Sequence, residues 1–168
     1  MLAAKEGKCV RFDESKVRAI GRTGTGVRGI ELEEGNEVVG MICVEPETND
    51  KTILVVSEHG FGKRSQLDDY RVTSRGCKGV KTISITEKTG KLIALKAVND
   101  ENDLMIINRS GIVIRVAASL IKVAGRATQG VKLINIKDTD SIAAVCAVPK
   151  SEDLKAQEAA ENEEETTN

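Results

Sequence analysis

The chain has 168 residues, of which 40% are hydrophobic and only 2% aromatic, and 25 basic against 26 acidic side chains leave a formal net charge of −1. That length suffices for one domain with a core, which must be built from Val, Ile, Leu and Ala. No apolar run approaches the ~20 residues a membrane-spanning helix needs, and no charged-then-apolar leader with a cleavage site is visible.

From the N-terminus, a strand predicted at 1–4 passes through a Glu6-Gly7 turn into a second at 10–12. A loop leads to a third strand at 27–32, and a turn at Glu33-Glu-Gly-Asn36 leads to an apolar fourth strand at 38–44. The series then returns twice. Strands at 53–57, 62–65, 80–85 and 92–98 surround turns at Glu58-His-Gly60 and Glu87-Lys-Thr-Gly90. Strands at 104–108, 112–116, 131–136 and 142–148 surround turns at Arg109-Ser-Gly111 and Lys137-Asp-Thr-Asp140. The period-two alternation of Ile30-Glu-Leu32, Ile83-Ser-Ile85 and Ile134-Asn-Ile136 suits a half-buried strand. The uninterrupted apolar fourth strands suit burial on both faces.

The leading glycines Gly7, Gly60 and Gly111 lie 53 and 51 residues apart, and the later Gly-Val pairs at Gly26, Gly79 and Gly130 repeat those spacings. In every copy an arginine (Arg11, Arg64, Arg115) lies four residues after the first glycine, and a second (Arg22, Arg75, Arg126) lies four before the Gly-Val pair. Matched offsets in three copies define a repeat architecture. The expected fold is all-β and propeller-like. Residues 1–150 supply three four-stranded blades of a larger domain, at about 1–46, 51–98 and 102–149, and residues 151–168 form an acidic disordered tail. The tail holds seven of the acids and one base, which leaves 24 basic and 19 acidic residues in the body. A basic body with an acidic tail points to a polyanionic partner and an internal competitor for it.

Catalytic chemistry finds little support. Gly24-Thr-Gly-Val-Arg-Gly29 matches G-x-G-x-x-G, but Ile30-Glu-Leu-Glu33 after it reads as a strand where a dinucleotide site needs a helix. Gly62-Lys-Arg-Ser65 lacks the earlier glycine of a phosphate-binding loop. Tyr70 stands alone between Asp69 and Arg71, Asp68 and Asp69 have no matching carboxylate partners, and His59 reads as an exposed turn residue. Cys9, Cys43, Cys77 and Cys146 form no C-x-x-C pair, and with a single histidine a zinc site is not expected. They read as small buried thiols of a reducing, cytosolic protein. No catalytic residue and no metal ligand is assigned.

The basic residues are the remaining signal. Lys8, Arg11, Arg22, Arg28, Lys63, Arg64, Arg71, Arg75, Lys78, Lys81, Arg115, Lys122, Arg126 and Lys132 recur at matching positions of the repeats, and in a radial array equivalent positions share one rim. Arg and Lys beside glycines, with no aromatic stacking platform, suit phosphate contact to a duplex better than single-strand binding. The plainer alternative is a solvated basic surface.

Gly60-Phe-Gly-Lys-Arg-Ser65, Tyr70-Arg71, Arg75-Gly-Cys-Lys-Gly-Val80, Asp103-Leu-Met-Ile-Ile107, Gly111-Ile-Val-Ile-Arg115 and Gly125-Arg-Ala-Thr-Gln-Gly-Val131 resemble the C-terminal domain of bacterial DNA gyrase A over roughly residues 1–149. The resemblance implies a β-pinwheel, in which neighbouring blades exchange a hairpin, with duplex DNA wrapped on a basic outer rim. It implies a cytoplasmic, nucleoid-associated protein that works with the gyrase A N-terminal region and with gyrase B in an A2B2 complex. ATP and Mg2+ would be used elsewhere in that complex, an ATP-dependent type IIA DNA topoisomerase whose negative supercoiling the wrap supports. No cofactor is expected in this segment. The seven-residue Gly/Arg box the family uses for wrapping is not found, and Arg75 to Val80 is only its degenerate counterpart. By repeat equivalence, Arg11, Lys63, Arg64, Lys78 and Arg115 are the first candidates for phosphate contact, followed by Arg22, Arg75 and Arg126. Gly60, Gly76, Gly79 and Gly130 look like backbone-geometry residues. The alternatives are the corresponding C-terminal domain of topoisomerase IV and a propeller-type protein-interaction module.

Overall fold

Alternating apolar residues in each repeat give strands with two usable faces, and neighbouring repeats supply the cover for them. The structure, a computed structural model, describes residues 1–45 and 50–150, so the tail expected at 151–168 lies outside the described residues. Eleven strands are present among them: β1 (Leu2–Ala4), β2 (Lys8–Val10), β3 (Val38–Met41), β4 (Thr52–Ser57), β5 (Phe61–Gln66), β6 (Val80–Lys81), β7 (Leu92–Val98), β8 (Asn102–Asn108), β9 (Val113–Ala117), β10 (Val131–Lys132) and β11 (Ile142–Pro149). Short 3-10 turns at Glu14–Lys16, Leu67–Asp69 and Ala118–Leu120 follow the second strand of each repeat.

The sheets are not built from one repeat each. Blade one has the order β3-β1-β2-β6, blade two β10-β5-β4-β7, and blade three β11-β8-β9. The outermost strand of blade one therefore comes from the second repeat and that of blade two from the third. Cys9 pairs with Val80 and Gly62 with Val131. This is the hairpin exchange of a pinwheel. It also explains where the sequence expectation fails. Residues 27–32 lie in no strand, because among the described residues no blade precedes theirs to receive them. The third strands of the other two repeats shrink to two residues each, the length over which they meet the neighbouring edge.

The core lies between blades. On β4, Ile53 and Val55 face blade one, in a cluster with Ala3, Cys9, Tyr70, Ile83, Leu92 and Leu95. Leu54 and Val56 face blade three, in a cluster with Ala94, Val98, Leu104, Ile106, Ala118, Ile121, Ile142 and Val145. Both faces of β4 are thus buried, as its uninterrupted apolar sequence requires. The fourth strands converge on the inner side, where Gly40 of β3 lies against Leu95 of β7. Full two-sided cover was expected for all three fourth strands. It is approached only on β7, since Val38 and Met41 of β3 and Ala143, Ala144 and Cys146 of β11 are exposed. The thiols divide in the same way: Cys9 is buried, Cys77 half-buried, and Cys43 and Cys146 exposed, against the expectation of four buried cysteines.

The exchanged strand needs a glycine at its start. Gly79 (φ +75°) and Gly130 (φ +82°) hold a left-handed backbone, and a Cβ on either would lie 2.5 Å from the carbonyl oxygen of Cys9 or Gly62 in the receiving strand. Gly35 has the same φ of +75° with nothing within 4 Å. Replacing Gly79 by Ala is expected to cost on the order of 3 kcal/mol in urea denaturation, against about 1 kcal/mol for Gly35→Ala. Equal costs for the two would show that the close approach of the exchanged strand contributes nothing.

Candidate nucleic-acid interface

An arginine four residues after a tight turn sits within the second strand or just past it, next to the seam with the following blade. There it finds carbonyl groups before it finds solvent. Arg11 is half-buried and donates from Nη1 to the carbonyls of Leu67 and Tyr70, each at 3.0 Å, at the 3-10 turn of the second repeat. Arg64, 7% exposed, donates from Nε to the Ile121 carbonyl at 2.9 Å in the third repeat and pairs through Nη1 with Asp100 at 2.5 Å. Parallel bridges Arg11–Val72 and Arg64–Val123 mark the same seams. The second arginine of each repeat reaches the other way. Arg75 donates to the carbonyls of Lys16 and Arg28, at 2.9 and 3.1 Å, and Arg126 to that of Lys81 at 2.8 Å. Each joint is thus clasped from both sides by charge-assisted hydrogen bonds, worth roughly 1.5–3 kcal/mol apiece. Arg115 has no following blade among the described residues, and its Nε instead donates to Asp103 at 2.6 Å. Arg22 is exposed and makes no hydrogen bond or ion pair among the described residues.

Lys63 and Arg64, among the first candidates for phosphate contact, are therefore corrected to interior ties. Lys63 is fully buried and donates to the Gly125 carbonyl at 2.7 Å and the Ser65 hydroxyl at 2.9 Å. Ser65 in turn donates to the Ala124 carbonyl at 2.8 Å. Burial penalises the ammonium and pushes its pKa down to about 8. Of the other candidates, Lys78 is exposed with no hydrogen bond or ion pair among the described residues, and Arg75 and Arg126 keep part of the guanidinium at the surface while clasping. Among the glycines singled out, Gly60, Gly76, Gly79 and Gly130 all have positive φ. Tyr70 is 1% exposed with its hydroxyl 2.6 Å from that of Thr82, and burial raises its pKa to about 12, so the phenol is a core group. His59 sits at the hairpin turn, partly exposed, with Nδ1 3.1 Å from the Glu87 carbonyl.

A different subset of the basic residues stays available to a polyanion. Arg18, Arg71 and Lys122 occupy one repeat position, eleven residues after the leading glycine, and all three are exposed. Arg28, Lys81 and Lys132 occupy another, two residues after the later glycine, and are also exposed. None of the six forms a side-chain hydrogen bond or ion pair among the described residues. Lys81 and Lys132 lie on β6 and β10, the outermost strands, and Arg71 and Lys122 flank the two parallel bridges at the seams. Lys81 and Lys132 thus lie at the sheet edges opposite the fourth strands β3 and β7. Arg18 is absent from the candidates that the sequence suggests. The shared offset from the leading glycine is the signal that finds it.

The buried ammonium has a measurable consequence. A folded-state pKa near 8, below the unfolded value of about 10.4, means that the unfolded chain binds more protons between those values. Raising the pH through that window therefore stabilises the fold through this group. Comparing urea denaturation of wild type and Lys63→Met at pH 7.5 and 9.5 is expected to shift the difference in favour of wild type by about 1 kcal/mol or more. Parallel pH profiles would show that Lys63 is not desolvated.

The family model for the DNA gyrase C-terminal domain, beta-propeller, matches residues 1–45, 51–99 and 102–148. The DNA gyrase A-subunit of Staphylococcus aureus strain MRSA252 is 42% identical over 153 residues, which is 91% of this chain and 17% of that protein. Its counterpart from strain NCTC 8325 is 43% identical over 148 residues, 88% of this chain and again 17% of the relative. The chain thus spans about a sixth of the length of these curated relatives. Among solved structures, a DNA gyrase A C-terminal domain superposes with a TM-score of 0.74 at 24% identity, over 87% of this chain and 49% of that one. The C-terminal domain of a DNA topoisomerase IV superposes at 0.80 with 20% identity, over 88% and 46%. These two likenesses concern the fold. With the family model matching most of its length, the chain belongs to the DNA gyrase C-terminal domain, beta-propeller family.

Proposed function

We propose that this chain binds and wraps duplex DNA, without sequence preference, along the outer side of its blades, and does so as part of a DNA gyrase A protein. The observation that carries the reading is the twofold set of exposed cations at Arg18/Arg71/Lys122 and Arg28/Lys81/Lys132, repeated once per blade and unpaired among the described residues. A periodic row of unpaired charges fits a periodic polyanion. Contacts of this kind go to phosphates, which position a duplex but carry no base information. Arg22, Lys78, Arg75 and Arg126 extend the row, and Arg115 joins it if it leaves Asp103. In this reading the whole enzyme introduces negative supercoils with ATP and Mg2+ handled by its other parts, in an A2B2 complex with gyrase B in the bacterial cytoplasm at the nucleoid. The present residues hold and curve the DNA. Among the described residues no helix is long and apolar enough to cross a membrane. Family membership and the 42% identity to a DNA gyrase A-subunit favour gyrase over the topoisomerase IV reading.

Binding to a random-sequence duplex of ~40 base pairs, followed by anisotropy against salt, tests this. Log affinity is expected to fall with log salt at about −0.9 per phosphate neutralised, and Arg18→Gln/Arg71→Gln/Lys122→Gln together to flatten the slope by about 2 to 3. Lys63→Gln should leave the slope unchanged. A flat salt response would favour the protein-interaction reading. Removing residues 151–168, with their seven acids and one base, is expected to tighten DNA binding severalfold at low salt, an effect that fades as salt rises and screening sets in. Equal affinities with and without these residues would remove the tail as a competitor for the rim.

A further inference from the structure

Both internal joints of this array present a valine to solvent at the same register. Val72 pairs in parallel with Arg11 and Val123 with Arg64, yet their side chains are 61% and 39% exposed. A lone valine on a surface is ordinary. These two recur twelve residues after Gly60 and Gly111, each directly after an exposed cation, Arg71 or Lys122. Val72 belongs to the middle repeat, and its exposure persists with a repeat on either side.

The pairing fixes where each side chain goes. Successive strand residues turn to opposite faces, and directly paired residues share one. Val72 shares the face of Arg11 and Cys9, which on blade one turns towards blade two. Arg71 takes the opposite face, together with Lys81, whose partner is Lys8. Residues 8 and 11 are three strand positions apart, so Val72 and Lys81 lie about 10 Å apart along the edge. Blade two repeats the arrangement. Val123 shares the face of Arg64 and Leu54, turned towards blade three, while Lys122 and Lys132 take the face towards blade one. Along the array the order is cation pair, valine, cation pair, valine. Val72 thus stands between Arg71 and Lys81 on its own blade and Lys122 and Lys132 on the next. All four cations are exposed and unpaired among the described residues.

We propose that Val72 and Val123 contact sugars of the duplex, packing on deoxyribose carbons in the minor groove while the flanking cation pairs hold the phosphates that border it. This inference rests on the duplex reading above. Phosphates alone call for cations, and a polar side chain between the cations would be easier to keep in water than a valine. A groove walled by two rows of phosphates carries sugar C–H groups between them, and an apolar side chain set between cations complements that surface. In an RNA duplex the minor groove displays 2′-hydroxyls instead. A valine would strip them of water and offer no hydrogen bond in return. The contact therefore favours DNA over RNA, a discrimination that phosphate contacts do not supply.

The double substitution Val72→Thr/Val123→Thr keeps the β-branched shape and exchanges one methyl for a hydroxyl at each site, so circular dichroism is expected to be unchanged. Anisotropy with DNA and RNA duplexes of one sequence, across a salt titration, provides the readout. The variant is expected to bind DNA about 10-fold more weakly and RNA about 2-fold more weakly at most. Its salt slope should match that of wild type, because no charge is lost. Wild type is expected to prefer DNA, and the variant to lose most of that preference. Unchanged DNA affinity with a steep salt slope, or an equal loss on both duplexes, would overturn the sugar contact and leave the duplex reading standing. A flat salt response of the wild type would overturn both.

Discussion

The constraint on which this structure depends is that a blade cannot complete its own sheet. The second strand of each repeat ends with its outer edge facing away from the repeat that made it. An unpaired edge leaves a row of backbone donors and acceptors without partners. The next repeat supplies them with two residues, Val80 and Lys81 or Val131 and Lys132. So short a strand contributes few hydrogen bonds, which explains the reinforcement around it. A glycine admits close backbone approach, a forward arginine and a backward arginine fix the loop, and a 3-10 turn puts Tyr70 or Ile121 into the core. Apolar cover follows the same logic, because the clusters lie between sheets and each belongs to two repeats.

This division of labour separates two kinds of basic residue that look alike in the chain. Arg11, Lys63 and Arg64 direct their donors at carbonyls and at Asp100 or Ser65, so their charges point inward. Arg18, Arg28, Arg71, Lys81, Lys122 and Lys132 have no internal partner among the described residues and face solvent. Formal charge therefore overstates the rim's offer to phosphate, and the distribution of carbonyl acceptors corrects it.

Most of the fold was legible in the sequence. The apolar run 92–98 is β7 to the residue, and 53–57 differs from β4 by one. Periodicity carries such strands because both faces of β4 and most of β7 are buried. Residues 27–32 show equally good alternation but form no strand, since pairing depends on a neighbouring edge that local sequence does not encode. The site was less legible for the same reason. Gly60-Phe-Gly-Lys-Arg-Ser65 reads as an exposed basic turn, and only the arrival of the Ile121 to Gly125 segment from the next repeat turns Lys63 and Arg64 into interior ties. Ser65, a small hydroxyl two residues beyond the lysine, was the one local hint, and it is unreadable without the partner carbonyls.

The joints are chemically interchangeable. Cys9 and Gly62 receive the same kind of strand, and Arg11 and Arg64 clasp equivalent turns, although the surrounding side chains differ. An inserted or deleted unit of about fifty residues therefore leaves every remaining seam with its full set of donors and acceptors, whereas a partial unit strands one of them. The heritable module of this architecture is the whole repeat. In the reading proposed above, the length of the arc offered to a duplex, and with it the turn the duplex would describe, changes in steps of one blade.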